Sequence, residues 1–321
     1  MGTGVERERL SLRGLVVCPG CRGVLEGDEP GAAQWVCGGC GRVVPVVGGV
    51  PRLAAEGYVA SFGRQWNRYD VARPEEDEEV FRVKTGLDLG EVSGWLVLDA
   101  GCGGGRYARL MGAAGARVVG VDLSSAVEKA AWVCRGLPNV RIVQGDLLDL
   151  AVADGVFDLV VSIGVLHHSS DPRRGFREIA RKVKRGGRLV VWLYRRNTLP
   201  QEVINWGLRA VTTRLPGGVL EGLSVGLGVL GGVPVVNRVL NKVVNFSNHR
   251  DWELRVCDNY DWYAPRYQSH HTVEEVRGWF EEEGFGEVEE LGPLRRGRVY
   301  EWAYRHNLIV GSGVNLVGRR V

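Results

Sequence analysis

The chain has 321 residues, of which 45% are hydrophobic and 25% are charged, and its formal net charge is +3. This balance is typical of a globular protein, and the charge is too small to indicate nucleic-acid binding by itself. The length suffices for one large domain or two with a substantial hydrophobic core.

Nothing in the sequence indicates secretion or membrane insertion. The first 15 residues carry charges but lack the apolar segment of a secretory signal. The longest uncharged run, residues 222–237, is too short and too rich in glycine for a membrane span. We therefore expect a cytoplasmic protein without a transmembrane segment.

Four of the seven cysteines form two C-x₂-C pairs separated by fifteen residues: Cys18, Cys21, Cys37 and Cys40. Paired knuckles at this spacing supply four thiolates in a tetrahedron, which favours a structural Zn²⁺ site. The alternative is two disulfides in an oxidising compartment, which the missing secretion signal disfavours. Cys102, Cys134 and Cys257 are scattered, and we expect them to be small buried residues.

Residues 41–53, GRVVPVVGGVPRL, have the pattern of a strand and turn that close a small zinc ribbon. Together with the cysteine pairs, residues 15–54 resemble the small zinc-ribbon proteins that partner or are fused to methyltransferases. The sequence therefore predicts a zinc-ribbon domain over residues 1–54.

Residues 55–94 are predicted to form a linker with N-terminal flap helices. The aromatic segment 62–69, FGRQWNRY, has two interpretations. It packs against the main domain, or it forms a flap over the methyl donor, as the resemblance to fused ribbon methyltransferases implies. Pro74 is predicted to begin a helix with an acidic first turn.

A glycine-rich turn, DAGCGGG over residues 99–105, follows an apolar strand at 95–98 and precedes a helical pattern at 107–114. Such a turn lets the backbone approach a ligand closely and directs helix N–H groups at it. A dinucleotide fingerprint would need glycine where Arg106 stands. The turn resembles the first motif of class I S-adenosylmethionine (SAM) methyltransferases, which implies that Asp99, Gly101, Gly103 and Gly105 bind the methyl donor.

Two further acidic residues follow the next strands. Asp122 ends the strand 117–121, where a carboxylate can accept both hydroxyls of an adenosine ribose, and Leu123 follows it. Asp146 follows the strand 140–143. In this family an acid at that point binds the adenine amino group, and Leu147 packs on the ring. We also place Ser162, in the fourth strand, among the residues that bind the methyl donor.

The later elements continue the alternation of strands and helices, which predicts a parallel sheet. Strands are predicted at 157–162 and 188–194, and between them Asp171 caps a helix that Gly186-Gly187 ends. The block FDLVVSIGVLHH…DP…EIARKVKRGGRLVVWLY resembles the methyltransferases of type 11, which include quinone C-methyltransferases. The resemblance implies an α/β fold with a Rossmann-like seven-stranded sheet in a methyltransferase domain over 95–321.

A long insertion, residues 195–268, follows the fifth strand and is predicted to form a helical lid over the substrate crevice. Helical spacing of apolar residues over 236–243 supports this interpretation. The apolar character favours a greasy acceptor, a membrane-surface contact or a homodimer through the lid. Packing on the parent domain is an equally good explanation.

Residues 261–280 resemble the motif D-x₃-P-x-Y-x₃-H-T-x-E-E-V-x₂-W-F of sugar- and antibiotic-type methyltransferases. Within it Thr272 and Glu275 form a capping box that opens a helix. The last two strands are predicted at 285–291 and 314–319, and residues 296–310 have no assignment.

Four of the six histidines occur as two pairs, at 167–168 and 270–271. Both pairs lie where a doubly wound sheet places its site, so we predict His271 and then His167 as catalytic groups near the acceptor. Tyr263 and Tyr267 are predicted to shape the acceptor pocket. The alternative is that these histidines are structural; a second metal site is less favoured because no H-x-H or H-x₃-H spacing exists.

The combined prediction is a SAM-dependent methyltransferase fused to a zinc ribbon, acting on a small-molecule or lipid-like acceptor through an O, N or C nucleophile. The runner-up enzyme is an RNA base methyltransferase, so nucleic acid is an alternative but less favoured partner. The rival outside enzymology is a SAM-binding adaptor that activates a partner through its ribbon.

Overall fold

The computed structural model describes residues 8–59, 63, 74–196, 199–233, 235, 244–291 and 313–321. Three segments discussed above lie outside these residues: the aromatic segment 62–69 apart from Gly63, the helical pattern at 236–243, and residues 296–310. Within the described part, no helix is long and apolar enough to cross a membrane.

A seven-stranded sheet organises the larger part of the chain. Its strands are β5 (Leu96–Ala100), β6 (Arg117–Asp122), β7 (Val140–Gln144), β8 (Phe157–Ile163), β9 (Val183–Leu193), β10 (Phe285–Glu290) and β11 (Val314–Arg320). The spatial order is β10-β11-β9-β8-β5-β6-β7, and only the pairings of β11 are antiparallel. The order reverses between β5 and β8, which is where such sheets bind ligands. The predicted α/β fold with a Rossmann-like seven-stranded sheet is confirmed.

Eight helices accompany this sheet in the described residues. They are α1 (Pro74–Thr85), α2 (Arg106–Ala113), α3 (Val127–Cys134), α4 (Pro172–Lys182), α5 (Leu199–Thr212), α6 (Gly217–Gly231), α7 (Trp252–Tyr263) and α8 (Val273–Glu282). Two predicted caps are confirmed. The Asp171 carboxylate accepts the Arg174 N–H at 2.9 Å, and Thr272 and Glu275 form the capping box of α8.

The prediction that Gly186-Gly187 ends α4 is wrong. The helix ends at Lys182, and β9 begins at the next residue, where Val183 turns extended and pairs with Phe157. The buried Lys182 fixes this change of direction because its Nζ donates to the Val152 carbonyl at 3.0 Å and to Asp154 at 2.6 Å. Tertiary contacts therefore end the helix before the glycines are reached.

Two hydrophobic layers cover the two faces of the sheet. One layer packs α1, α2 and α3 against side chains such as Val97 and Val161. The other packs α4 and α8 against the alternate side chains, such as Leu98 and Val160. Since successive side chains of a strand point to opposite faces, a buried sheet of this kind needs continuous apolar runs. The strand LVLDA at 96–100 has this composition.

The N-terminal region forms a separate four-stranded antiparallel sheet. Its strands are β1 (Leu25–Glu26), β2 (Gln34–Cys37), β3 (Val43–Val47) and β4 (Val50–Pro51). Trp35 and Val44 from this sheet belong to the same hydrophobic cluster as Leu98 and Val160. The small sheet therefore packs on the seven-stranded sheet through a shared core.

Polar contacts fix the small sheet at the edge strand β7. The Leu53 N–H donates to the Gln144 carbonyl at 2.8 Å, next to a backbone bridge between Arg52 and Gln144. Asp28 accepts from Arg141 at 2.8 Å and from the Leu12 N–H at 2.6 Å. The N-terminal region thus covers an edge that would otherwise expose unpaired backbone groups.

Asp28 provides a test of this attachment. Burial acts to raise the pKa of its carboxyl, but the Leu12 N–H, Arg141 and Arg9 outweigh burial, and the pKa is lowered overall. A lowered pKa in the folded state contributes stability that is present above the unfolded value, near 4, and is lost as the pH falls through the folded value. Asp28→Asn should lower the free energy of unfolding at pH 7 by about 1–3 kcal/mol.

Urea unfolding of the parent and of Asp28→Asn, between pH 7 and pH 2, measures this difference. The matched control is Glu26→Gln, since Glu26 is exposed and reaches Arg13 only at 3.9 Å. The difference between parent and Asp28→Asn should shrink below about pH 4. A difference that persists unchanged at low pH would contradict the electrostatic explanation.

Candidate functional site

The glycine turn between β5 and α2 is tighter than other residues would allow. Gly101 and Gly105 have φ values of +89° and +84°, in the left-handed region that favours glycine. A Cβ on Gly101 would lie 2.4 Å from Val165 Cγ1, and one on Gly105 would lie 2.8 Å from Ala130 Cα. The turn therefore needs glycine both for its backbone conformation and for its close packing.

A cavity of about 290 Å³ lies against this turn. The ends of several strands and the lid helix α7 enclose it. Its lining includes these groups from the sheet side: Gly101, Gly103, Gly104, Asp122, Leu123, Asp146, Leu147, Val165 and Leu166. The structure thus brings six of the nine residues predicted to bind the methyl donor into one lining.

Asp122 stands at the centre of the sheet side. Its carboxylate accepts from the Gly103 N–H at 2.9 Å, from the Ser124 N–H at 2.8 Å and from the Ser124 hydroxyl at 2.6 Å. Burial raises the pKa of Asp122 despite these hydrogen bonds. The contacts fix the carboxylate between the glycine turn and the start of α3, at the cavity wall.

Asp146 occupies the corresponding place after β7. Its side chain accepts the Leu148 N–H at 2.8 Å and caps a short 3₁₀ turn over Leu147–Asp149. This capping orients the Asp146 carboxyl and exposes the edge of Leu147 to the cavity.

Three predicted residues lie behind the lining rather than in it: Asp99, Gly105 and Ser162. Asp99 and Ser162 are almost wholly buried. Burial, with a smaller contribution from Asp122, raises the pKa of Asp99 to about 7. Gly105 lets the start of α2 pack closely against α3. These residues support the wall of the cavity.

The rest of the lining includes polar and aromatic residues to which the sequence analysis gave no individual role. They come from α1, β9, the end of β8 and α7, and they are Lys84, Trp192, Tyr194, His168, Asp258 and Asp261. The i, i+3 spacing of the two acids in the helical pattern was an available signal, since it places both on one helix face.

Asp261 joins two of these residues. Its Oδ2 accepts from the Tyr194 hydroxyl at 2.5 Å and lies 3.4 Å from His168 Nε2. His168 Nδ1 lies 3.2 Å from the Tyr267 carbonyl oxygen, which can only accept. Nδ1 therefore carries a hydrogen and donates it to this carbonyl.

The structure does not bring the two predicted catalytic histidines to the cavity lining. His167 is fully buried, stacks on Tyr194 with ring centroids 3.9 Å apart, and accepts the Tyr194 N–H at Nδ1. Burial lowers the pKa of His167 far below its usual range. The neutral ring thus carries its proton on Nε2 and uses its acceptor nitrogen on the backbone, so it has no nitrogen left to take a proton.

His271 is bound within its own helix start. Its Nδ1 donates to Glu275 at 3.0 Å, and Nε2 lies 2.8 Å from the Ser269 hydroxyl. Tyr263, predicted to shape the pocket, donates its hydroxyl to the Asn245 carbonyl and is buried. Tyr267 contributes a carbonyl to His168 but does not line the cavity. The other histidines of the two pairs, His168 and His270, each lie near a carboxylate of the insertion, from Asp261 and Glu202 respectively.

The lid is attached through that second pair. His270 Nδ1 lies 2.6 Å from Glu202 of α5, and Arg209 of α5 donates to the carbonyls of Trp262 and Pro265, each at 2.6 Å. Helices α5 and α6 also expose a series of apolar side chains, among them Leu199, Val203, Trp206, Val211, Val219, Leu223 and Val229. Trp206 is 76% exposed.

The four N-terminal cysteines form one cluster. All four Sγ atoms lie within 4.8 Å of one another, with 3.6 Å between Cys18 and Cys40 and 3.4 Å between Cys21 and Cys37. Zn–S bonds of about 2.3 Å in a tetrahedron place sulfur atoms about 3.8 Å apart. A disulfide would need about 2 Å, and all seven cysteines are free. The donor set fits a tetrahedral zinc ion.

Comparison with known proteins agrees with this geometry. Residues 98–191 match the family described as a methyltransferase domain. A ubiquinone biosynthesis O-methyltransferase of Pseudomonas putida is 28% identical over 172 residues, which cover 53% of this chain and 74% of that protein. A protein of the same name from Alkalilimnicola ehrlichii is 31% identical over 142 residues, covering 43% of this chain and 58% of that protein.

Among solved structures, a SAM-dependent methyltransferase from Mesorhizobium loti has a TM-score of 0.44 and 22% identity, covering 72% of this chain and 93% of that chain. The family match over residues 98–191 and the methyltransferase relatives place that region in the methyltransferase-domain family. The chain therefore contains a methyltransferase domain.

Proposed function

We propose that the enzyme transfers the methyl group of SAM to a hydroxyl group of a small-molecule or lipid-like acceptor. The observation that carries this proposal is the arrangement of one cavity. Its lining combines the glycine turn and Asp122 with the His168–Asp261 pair. The relatives named as ubiquinone biosynthesis O-methyltransferases support an oxygen nucleophile on a small molecule.

Asp122 and Asp146 are proposed to hold the adenosine of SAM. The Asp122 carboxylate would accept the ribose hydroxyls, and Asp146 would accept the adenine amino group. Leu123 and Leu147 would pack on the two sides of the base. Asp99, Gly105 and Ser162 are proposed to act behind this wall by holding the glycine turn and the strands in place.

SAM supplies an electrophilic methyl group, and the acceptor oxygen forms the new C–O bond as the C–S bond breaks with its electron pair going to sulfur. The acceptor hydroxyl must also lose a proton. His168 Nε2 is placed to take it, since Nδ1 is held by the Tyr267 carbonyl. Asp261 would stabilise the imidazolium that forms, and Tyr194 holds that carboxylate. Such proton transfer contributes about 10²–10⁴-fold to a rate, beside the effect of positioning.

The first test concerns the methyl donor. Asp122→Ala should weaken the binding of S-adenosylhomocysteine by about 10- to 100-fold, because the ribose hydroxyls would lose their charge-assisted hydrogen bonds to the carboxylate. Calorimetry on the parent and the variant measures this, with Glu128→Gln on the neighbouring helix as control. NAD should not bind the parent. Unchanged affinity in Asp122→Ala, or tight NAD binding, would contradict the proposed donor site.

The second test concerns the proton acceptor. His168→Gln and Asp261→Asn should each lower kcat by about 10²–10⁴-fold while the affinity for S-adenosylhomocysteine stays near that of the parent. Transfer of a labelled methyl group from SAM to a series of alkyl-substituted catechols measures the rate. His167→Gln is a poor control because its ring packs on Tyr194, so His271→Gln serves instead and should change kcat little. The opposite ranking of His168 and His271 would overturn this assignment.

We also propose that Cys18, Cys21, Cys37 and Cys40 hold a structural zinc ion. A pair of knuckles with sulfur atoms at these separations supports the metal, and the Gly20 N–H donates to Cys18 Sγ at 3.4 Å. The N-terminal sheet shares a hydrophobic core with the larger sheet. The proposed boundary at residue 54 therefore divides the chain by sequence and does not imply that the two parts fold independently. The three-part division at 1–54, 55–94 and 95–321 stays a prediction.

Protein purified without chelators should contain about one zinc ion per chain. Cys18→Ser should release the metal and lower the thermal stability, since structural zinc contributes directly to folding. Donor binding should be largely kept because residues 15–54 do not line the cavity. Elemental analysis and calorimetry measure both, with Cys134→Ala as control. A parent without zinc would contradict the site, and complete loss of donor binding would show that the two regions act as one unit.

RNA, a lipid-like acceptor and a second copy of the chain are the alternative partners. Methylation of an RNA base instead of catechols in the labelled assay would favour the RNA methyltransferase. The exposed apolar side chains of α5 and α6 support either a lipid-like acceptor or a homodimer through the lid. The homodimer stays a prediction.

A further inference from the structure

Lys84 lines the cavity, but it belongs neither to the proposed donor site nor to the proposed proton acceptor. It lies near the end of α1, and its side chain lines the cavity. Nζ lies 4.1 Å from the centroid of the Trp192 ring, a distance at which a cation is attracted to the ring face. The aromatic ring thus holds the ammonium group at the cavity wall.

The charges around Lys84 do not neutralise it. Within the described part of the chain, Lys84 makes no ion pair with a carboxylate. The positive charge of Arg106 in α2 lowers the pKa of Lys84, and Arg106 is itself paired with Asp77 through Nε at 2.6 Å. The negative charge of Asp258 in α7 acts to raise the pKa of Lys84, and Asp258 accepts a hydrogen bond from the Ser247 hydroxyl at 2.7 Å. Its ammonium group is therefore desolvated without a counter-ion in contact.

An ammonium group in such a place is stabilised by an anion that a ligand brings. We propose that Lys84 is the anion-binding group of the cavity and pairs with a carboxylate of a bound ligand. Two ligands could carry it: the methionine end of the methyl donor, or an acid group on the acceptor. The proposal rests on the proposed function only in that the cavity binds both molecules.

The first arm of the test compares two ligands that share adenosine and a thioether. S-Adenosylhomocysteine has the amino-acid carboxylate, whereas methylthioadenosine lacks it. If the carboxylate of the donor pairs with Lys84, Lys84→Met should weaken S-adenosylhomocysteine about tenfold or more and leave methylthioadenosine unchanged. Lys84→Arg keeps the charge and should keep the affinity.

The second arm uses protein saturated with S-adenosylhomocysteine and two acceptor probes, 3,4-dihydroxybenzoate and catechol. If the acceptor carries the carboxylate, the parent should bind the acid about tenfold or more tightly than catechol, and Lys84→Met should lose this preference. The affinity for S-adenosylhomocysteine would then be the same in both proteins.

The dependence on pH gives a readout that a packing role would not produce. Burial, then Arg106, lowers the pKa of Lys84 to about 7, against the opposite effect of Asp258. A bound carboxylate favours the ammonium form, so the carboxylate's contribution should be full below about pH 7 and fall as the pH rises above it. Lys84→Arg should remove this fall.

Asp258 is the other group near Lys84 that titrates close to this range, since burial, with a smaller contribution from Asp261, raises its pKa to about 6. Lys84→Arg leaves Asp258 in place, so a fall that this substitution removes belongs to Lys84. Burial lowers the pKa of His167 well below its usual range.

The outcomes separate this proposal from the function on which it rests. If S-adenosylhomocysteine does not bind the parent, the proposed function fails. If it binds, and Lys84→Met keeps the parent's discrimination in both arms, only the role of Lys84 is overturned. A lowered melting temperature of Lys84→Met without any change of discrimination would show that Lys84 serves only to pack on Trp192.

Discussion

The site depends on the close packing of the glycine turn after the central strand β5. Gly101 approaches Val165, which follows the neighbouring strand β8, and Gly105 approaches Ala130 in α3. These approaches bring the ends of β5, β6 and β8 together and leave one cavity above them. A side chain at either glycine would force the strands or helices apart and would shift Asp122, whose carboxylate accepts the N–H of Gly103.

The insertion after β9 completes the lining of the cavity from a distant part of the chain. Helix α7 contributes Asp258 and Asp261, and α1 contributes Lys84, to a cavity whose floor is built by the sheet. The hydrogen bonds from Arg209 to the carbonyls of Trp262 and Pro265 fix the end of α7 relative to α5. The floor is thus built by the sheet, while the roof is built by side chains of α1 and of the insertion. Acceptor choice should therefore depend on the roof.

The floor of the site could be predicted from the sequence because each of its parts is local. A strand, a turn and a helix start lie within a few residues of one another at Gly101, Asp122 and Asp146. The roof could not be predicted in the same way. Tyr194 and Asp261 meet only after α7 has packed over β9, and nothing in their spacing specifies that contact. Within the pair at 167–168, the sequence offered no means to choose the ring that faces the cavity. In the structure, His168 lines the cavity, whereas the His167 ring stacks on Tyr194.

The central claim is that one cavity holds the methyl donor on the sheet side and the reacting hydroxyl on the lid side. A crystal structure with S-adenosylhomocysteine bound tests it most directly. The account predicts that the ribose lies against Asp122 and that the sulfur atom points toward the space between the glycine turn and the His168–Asp261 pair. A ligand bound outside this cavity would contradict the claim. A sulfur atom that points away from the His168–Asp261 pair, or that a closed wall separates from this pair, would also contradict it.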